Sequence, residues 1–96
     1  MRISHNQAMA IRAVIERHLP QVEKIILFGS RADDQRHGGD LDILVEAAGH
    51  VPIMQQAALM RELQDKTGLP VDLVIRDTDL PPRPIEEIAR STGTPL

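Results

Sequence analysis

Cysteine, tryptophan and tyrosine are absent from the 96-residue sequence, and Phe28 is its one aromatic side chain. Without cysteine there is neither a disulfide framework nor a thiolate metal site. Nothing argues for an oxidising compartment, so a reducing cytoplasm is expected. A single aromatic ring excludes a base-stacking surface for single-stranded nucleic acid. An excess of positive charge is missing as well. The sequence has 11 basic side chains against 14 acidic ones, a net charge of -3, which is too balanced for a protein that lives on nucleic-acid phosphates. No direct nucleic-acid binding is expected. No apolar run approaches the ~18 residues of a membrane span, and Met1 to Gln7 lack the apolar centre of a secretion signal. Neither secretion nor membrane insertion is expected. The length suits one small domain with one core over residues 1–96, with no second catalytic lobe.

The hydrophobic pattern that is present alternates between helical and strand periods. Ser4 and Gln7 have the spacing of a capping box, and Ala8, Ile11, Ile15 and Leu19, with Val14 beside them, then predict a helix over about 5 to 18, stopped by Pro20. Val22 to Phe28 is apolar on both faces, which suits a strand buried between layers, and Gly29 ends it. Ser30 to Gly39 is polar and reads as a loop or a loop with one helical turn. Leu41 to Val45 reads as a second strand. A helix follows over about 52 to 66, with Ile53, Ala57, Leu59, Met60 and Leu63 as its core face. Val71 to Ile75 reads as a third strand, and Asp77 to Pro84 as a turn-rich connection. A last helix over about Pro84 to Ser91 is expected to turn Ile85, Ile88 and Ala89 inward, with Gly93 just past its end. If that apolar side is not fully buried, Ile85 and Ile88 offer a surface to a companion protein. The whole is a small α/β domain. The helix between strands two and three favours parallel pairing through a right-handed crossover, whereas the ten-residue link between strands one and two allows them to run antiparallel. The end of strand one and the starts of strands two and three then share one edge of the sheet.

Three carboxylates enter these strands: Asp40 and Asp42 around Leu41, and Asp72 between Val71 and Leu73. Aspartate is disfavoured in strands, and a buried carboxylate needs a counter-charge, so all three need an explanation. The period of two points Asp40 and Asp42 the same way, and parallel pairing lets Asp72 join them. Asp33, Asp34, Asp40 and Asp42 face only Arg36 within ten residues, so the net negative charge of the chain is concentrated there. The three strand carboxylates Asp40, Asp42 and Asp72 repel one another unless a divalent cation sits among them, and an all-oxygen donor set selects Mg²⁺ or Mn²⁺ over zinc. At the same edge, Gly29-Ser30 can offer backbone N–H groups and a hydroxyl to phosphate oxygens. Ser30 can equally cap a helical turn, and the two roles are compatible. Arg31 either clamps phosphate or pairs with Asp33 or Asp34. His5, His18, His37 and His50 have no metal-ligand spacing, and His37, near the loop, reads as solvated.

Taken as a set, Gly29-Ser30, nine residues, Asp40-Leu41-Asp42 and a later Asp72 in an apolar strand resemble the signature of the DNA polymerase β-type nucleotidyltransferase superfamily. Gly29-Ser30-Arg31-Ala32 and the run Leu41-Asp42-Ile43-Leu44-Val45 are similar to its minimal prokaryotic branch, the MNT proteins. The resemblance spans the chain from the first helix to the last. It implies a polymerase-β-like fold, a small mixed β-sheet flanked by helices. It implies Mg²⁺-dependent transfer of AMP from ATP, with Asp40, Asp42 and Asp72 as catalytic and metal-holding residues for two ions, and Gly29, Ser30 and Arg31 on the nucleotide. Its implied partner is a HEPN-type toxin, for which the MNT protein serves as antitoxin. Two positions depart from the family pattern: Gly39 stands where many relatives have serine, and Asp33-Asp34 where many have Arg-Gly. A non-catalytic antitoxin of the same fold, and a small-molecule nucleotidyltransferase acting as a homodimer, are the alternatives.

Overall fold

The computed structural model of the protein describes residues 3–28 and 41–96. The elements in chain order are α1 (His5–His18), β1 (Val22–Phe28), β2 (Leu41–Ala47), α2 (Ile53–Thr67), β3 (Val71–Asp77), α3 (Pro84–Thr92) and β4 (Thr94–Pro95). They form a mixed four-stranded sheet in the order β3-β2-β1-β4. β1 runs antiparallel to β2 and β4, and β2 runs parallel to β3 through the α2 crossover. The sheet is therefore mixed in the sense that the connection lengths require. Among the described residues, no helix is long and apolar enough to cross a membrane.

The two faces of the sheet carry different loads. On one face Ile25, Leu27, Leu41, Ile43, Val45 and Val71 pack against Ile11, Val14, Ile15 and Leu19 of the α1 region and Leu59 and Leu63 of α2. This is the main core. On the other face Ile26 and Leu44 meet Ala89 of α3, with Phe28 and Val74 against them. Burial on both faces explains why Ile25, Ile26 and Leu27 are apolar in succession.

Local chemistry fixes the ends of the elements. The expected capping box is formed: Gln7 N–H donates to Ser4 Oγ at 3.1 Å, and Ser4 N–H donates to Gln7 Oε1 at 2.9 Å. α2 stops at Gly68, whose φ of +71° is the left-handed cap that glycine adopts without steric cost. Glu62 of α2 accepts from His18 Nε2 at 2.8 Å and also pairs with Arg17, so the two helices of the main core are tied at their polar rim.

Three expectations are corrected, and one strand is added. α3 turns Glu86 and Ala89 to the sheet and leaves Ile85 and Ile88 outward, because the face it covers already carries Glu46 and Arg76 and takes a small side chain and a charge. In α2 only Leu59 and Leu63 are buried; Met60 is partly covered, and Ile53 and Ala57 are exposed, lining an open cleft with Met60 and Leu73 of β3. β2 and β3 run two residues further than expected, to Ala47 and Asp77. β4 has no counterpart in the sequence reading. Its two residues pair with Ile26 and Leu27, and Leu96 N–H donates to Ile25 O at 2.9 Å, which suits a proline at a sheet edge. Gly93 permits that approach: a Cβ there would run into Ile26 Cγ2 and lie 2.7 Å from Leu27 O.

Candidate active site

The face under α3 is organised in three rungs across β1, β2 and β3. In register these are Phe28, Asp42 and Asp72; then Ile26, Leu44 and Val74; then Lys24, Glu46 and Arg76. The first rung lies where β1 ends and β2 and β3 begin. Asp42 and Asp72 are thus direct neighbours on parallel strands, about 4.8 Å apart at the backbone. Asp42 is half-buried and Asp72 is exposed. Gly29, Ser30, Arg31 and Asp40 lie outside the described residues, so Asp42 and Asp72 are the members of the expected set that the structure places.

The turn before β3 positions Asp72. Gly68 N–H donates to Gln64 O at 2.8 Å, Leu69 N–H to Thr67 Oγ1 at 3.2 Å, and Val71 N–H to Gln64 Oε1 at 3.3 Å. Leu41 N–H then donates to Pro70 O at 2.8 Å and starts the β2–β3 pairing one residue before the two aspartates. Two like charges directly opposite in a sheet are unfavourable by a few tenths of a kcal/mol to about 1 kcal/mol. Asp72→Asn is therefore expected to leave the metal-free protein as stable as wild type or slightly more so. A melting temperature lowered by several degrees would show instead that Asp72 holds the strand in place.

At the far end of the same face is a charge cluster that the sequence reading missed. Glu46 is 4% exposed and Glu86 is 3% exposed. Arg90 Nε lies 3.1 Å from Glu46 Oε2, and Arg76 reaches Glu46 at 3.7 Å and Glu86 at 3.8 Å. Arg83 bonds Glu86 through both its backbone N–H, at 2.8 Å, and its side chain. The signal was present in the sequence: Glu46 and Arg76 each continue the alternation of Asp42 and Asp72 by two more steps, one residue beyond the expected strand ends. Leu44 and Ala89 separate the two clusters, so α3 roofs the second and third rungs.

A paired-carboxylate rung at the carboxyl end of one strand and the amino ends of two others offers hard oxygen ligands. Such a donor set fits Mg²⁺ or Mn²⁺. The sequence matches the family described as polymerase beta, nucleotidyltransferase, over residues 10–94. Among curated proteins none matches it. Among solved structures, the chain is similar to a minimal nucleotidyltransferase, with 28% identity and a TM-score of 0.72 over 95% of this chain and 90% of that one. It is also similar to a chain in the complex of the tri-AMPylated HEPN toxin of Shewanella oneidensis with its MNT antitoxin, with 22% identity and a TM-score of 0.77 over 97% of this chain and 71% of that one. A toxin-antitoxin structure with AMP-PNP gives 22% identity and a TM-score of 0.78 over 97% and 72%. The latter two likenesses speak for the fold. Because the sequence match runs from within α1 to the first residue of β4 and so takes in every strand that builds the rung, the chain belongs to the polymerase beta nucleotidyltransferase family.

Proposed function

We propose that residues 1–96 act as one nucleotidyltransferase domain that transfers AMP from ATP to a hydroxyl of a companion HEPN-type toxin and so serves as its antitoxin. The observation that carries this reading is the Asp42–Asp72 rung, set in register at one end of a sheet of this family. The likeness to an MNT antitoxin bound to an AMPylated HEPN toxin supports the choice of partner and acceptor.

Asp40, Asp42 and Asp72 would hold the divalent cations, and Gly29, Ser30 and Arg31 the triphosphate. The cations, two Mg²⁺ by the family resemblance, would supply charge neutralisation of the triphosphate and acidify the acceptor hydroxyl. The hydroxyl oxygen attacks the α-phosphorus, the bond from that phosphorus to the α,β-bridging oxygen breaks, and pyrophosphate leaves. The proton passes by way of Asp72, the exposed member of the rung, to solvent. A tyrosine acceptor suits this chemistry, since its free pKa of ~10 lies far below that of an aliphatic alcohol.

A second reading keeps the fold and the partner without turnover. Asp33-Asp34 favours it, by adding negative charge in the segment between Ser30 and Asp40. Titration with Mg²⁺ and ATP separates the two. The catalytic reading expects the amide resonances of Gly29, Ser30, Asp40, Asp42 and Asp72 to shift together, and shifts confined to Asp33 and Asp34 would contradict it.

A further inference from the structure

We infer that the buried Glu46–Arg76 pair is a positioning device that fixes the register of β3 against β2 and thereby sets Asp72 opposite Asp42. On the α1/α2 face, Leu41, Ile43 and Val45 lie opposite Val71, Leu73 and Ile75. A slip of two residues keeps the side-chain alternation and still sets Ile43 and Val45 against Val71 and Leu73 in one direction, or Leu41 and Ile43 against Leu73 and Ile75 in the other. Apolar burial therefore discriminates weakly between registers. On the other face, the native register sets the like charges of Asp42 and Asp72 opposite each other, so this rung supplies no attraction of opposite charges between the two strands.

Glu46 and Arg76 act in the opposite direction. They share a rung four residues further along both strands, and their side chains are 5% and 12% exposed. In either slipped register Glu46 would face Val74 or Thr78, and Arg76 would lose its opposite charge on β2. Separating two buried opposite charges is costly even where each keeps a second partner, as Glu46 does in Arg90 and Arg76 in Glu86, and fixing register is the best-attested use of buried ionic groups. α3 adds to the selection: Arg90 meets Glu46 and Glu86 meets Arg76, so the helix that roofs this face docks on the native alignment of both strands.

The consequence for metal binding rests on the reading of Asp42 and Asp72 as ligands, whereas the register itself does not. The test is the double variant Glu46→Met/Arg76→Met, which replaces the pair with apolar side chains of similar volume while Glu86 keeps Arg83 and Arg90 is free to turn to solvent. In isotope-labelled protein without metal, wild type is expected to give one set of cross-strand NOEs joining residues 42 and 72. The double variant is expected to give more than one set, or exchange-broadened signals at residues 42, 44, 72 and 74, at an unchanged or raised melting temperature. Its affinity for Mn²⁺ alone is expected to fall about tenfold. Should the double variant not fold, Glu46→Gln, which keeps the side-chain volume, carries the same measurements. A single set of wild-type NOEs in the folded variant overturns the proposal whatever the metal affinity. Failure of wild type to bind Mn²⁺ overturns the functional reading instead and leaves the NOE result to decide on the register.

Discussion

Asp42→Asn is expected to abolish AMP transfer to the companion protein while leaving the complex with it intact. Asp42 is the central member of its rung, between Phe28 on β1 and Asp72 on β3, so its carboxylate is the one that a cation shared across the strands must use. Asparagine keeps the shape and removes the charge. Losing a charge-neutralising metal contact costs several kcal/mol of transition-state stabilisation, and about 4 kcal/mol is about a thousandfold in rate. The fold is not expected to suffer, because the carboxylate is half-buried and the main core lies on the other face. Single-turnover transfer and co-elution, measured on the same preparation, check both halves of the prediction. If transfer persists within tenfold of wild type, Asp42 is not a metal ligand.

The largest effect on stability is expected at Leu44. It is fully buried in the middle rung and packs with Ile26 and Ala89, the only described residues in that buried cluster. Leu44→Ala should cost about 2–5 kcal/mol, for lost apolar burial and for a cavity that α3 closes poorly, since the buried ion cluster holds the helix in place. A domain of this size is stable by about 5–15 kcal/mol, so much of the margin would go, and the melting temperature should fall by about 10 °C or more. Ile88→Ala on the outer side of the same helix, where the side chain is 56% exposed, should change it little. Equal losses from the two variants would mean that α3 packs through the face the sequence suggested, with Ile85 and Ile88 inward.

That contrast shows what was legible in the sequence. The order of the three helices and first three strands, the capping box of α1, the β1–β2 and β2–β3 pairings and the meeting of Asp42 with Asp72 all follow from periods and connection lengths, which are local quantities. The orientation of α3 does not. Ile85 and Ile88 have the spacing of a buried stripe, but the surface waiting for the helix is partly charged, and that depends on Glu46 and Arg76 lying side by side from strands 30 residues apart in sequence. Reading β2 to Val45 and β3 to Ile75 stopped one residue short of both. β4 was beyond reach for a related reason: two residues, one of them proline, carry no strand period, and only the edge of β1 defines them. The Gly29-Ser30-Arg31 and Asp40 part of the candidate site rests on the spacing of the motif and on family membership.

The claim that this protein transfers AMP onto its companion is decided by incubating the two with Mg²⁺ and ATP labelled at either the α- or the γ-phosphate. Attack at the α-phosphorus expels pyrophosphate, so α label should become covalently attached to the companion and γ label should not. Attachment of γ label would make the protein a kinase. A wild-type protein that attaches neither label, yet silences its companion as well as Asp42→Asn does, would contradict the claim and identify a binding antitoxin.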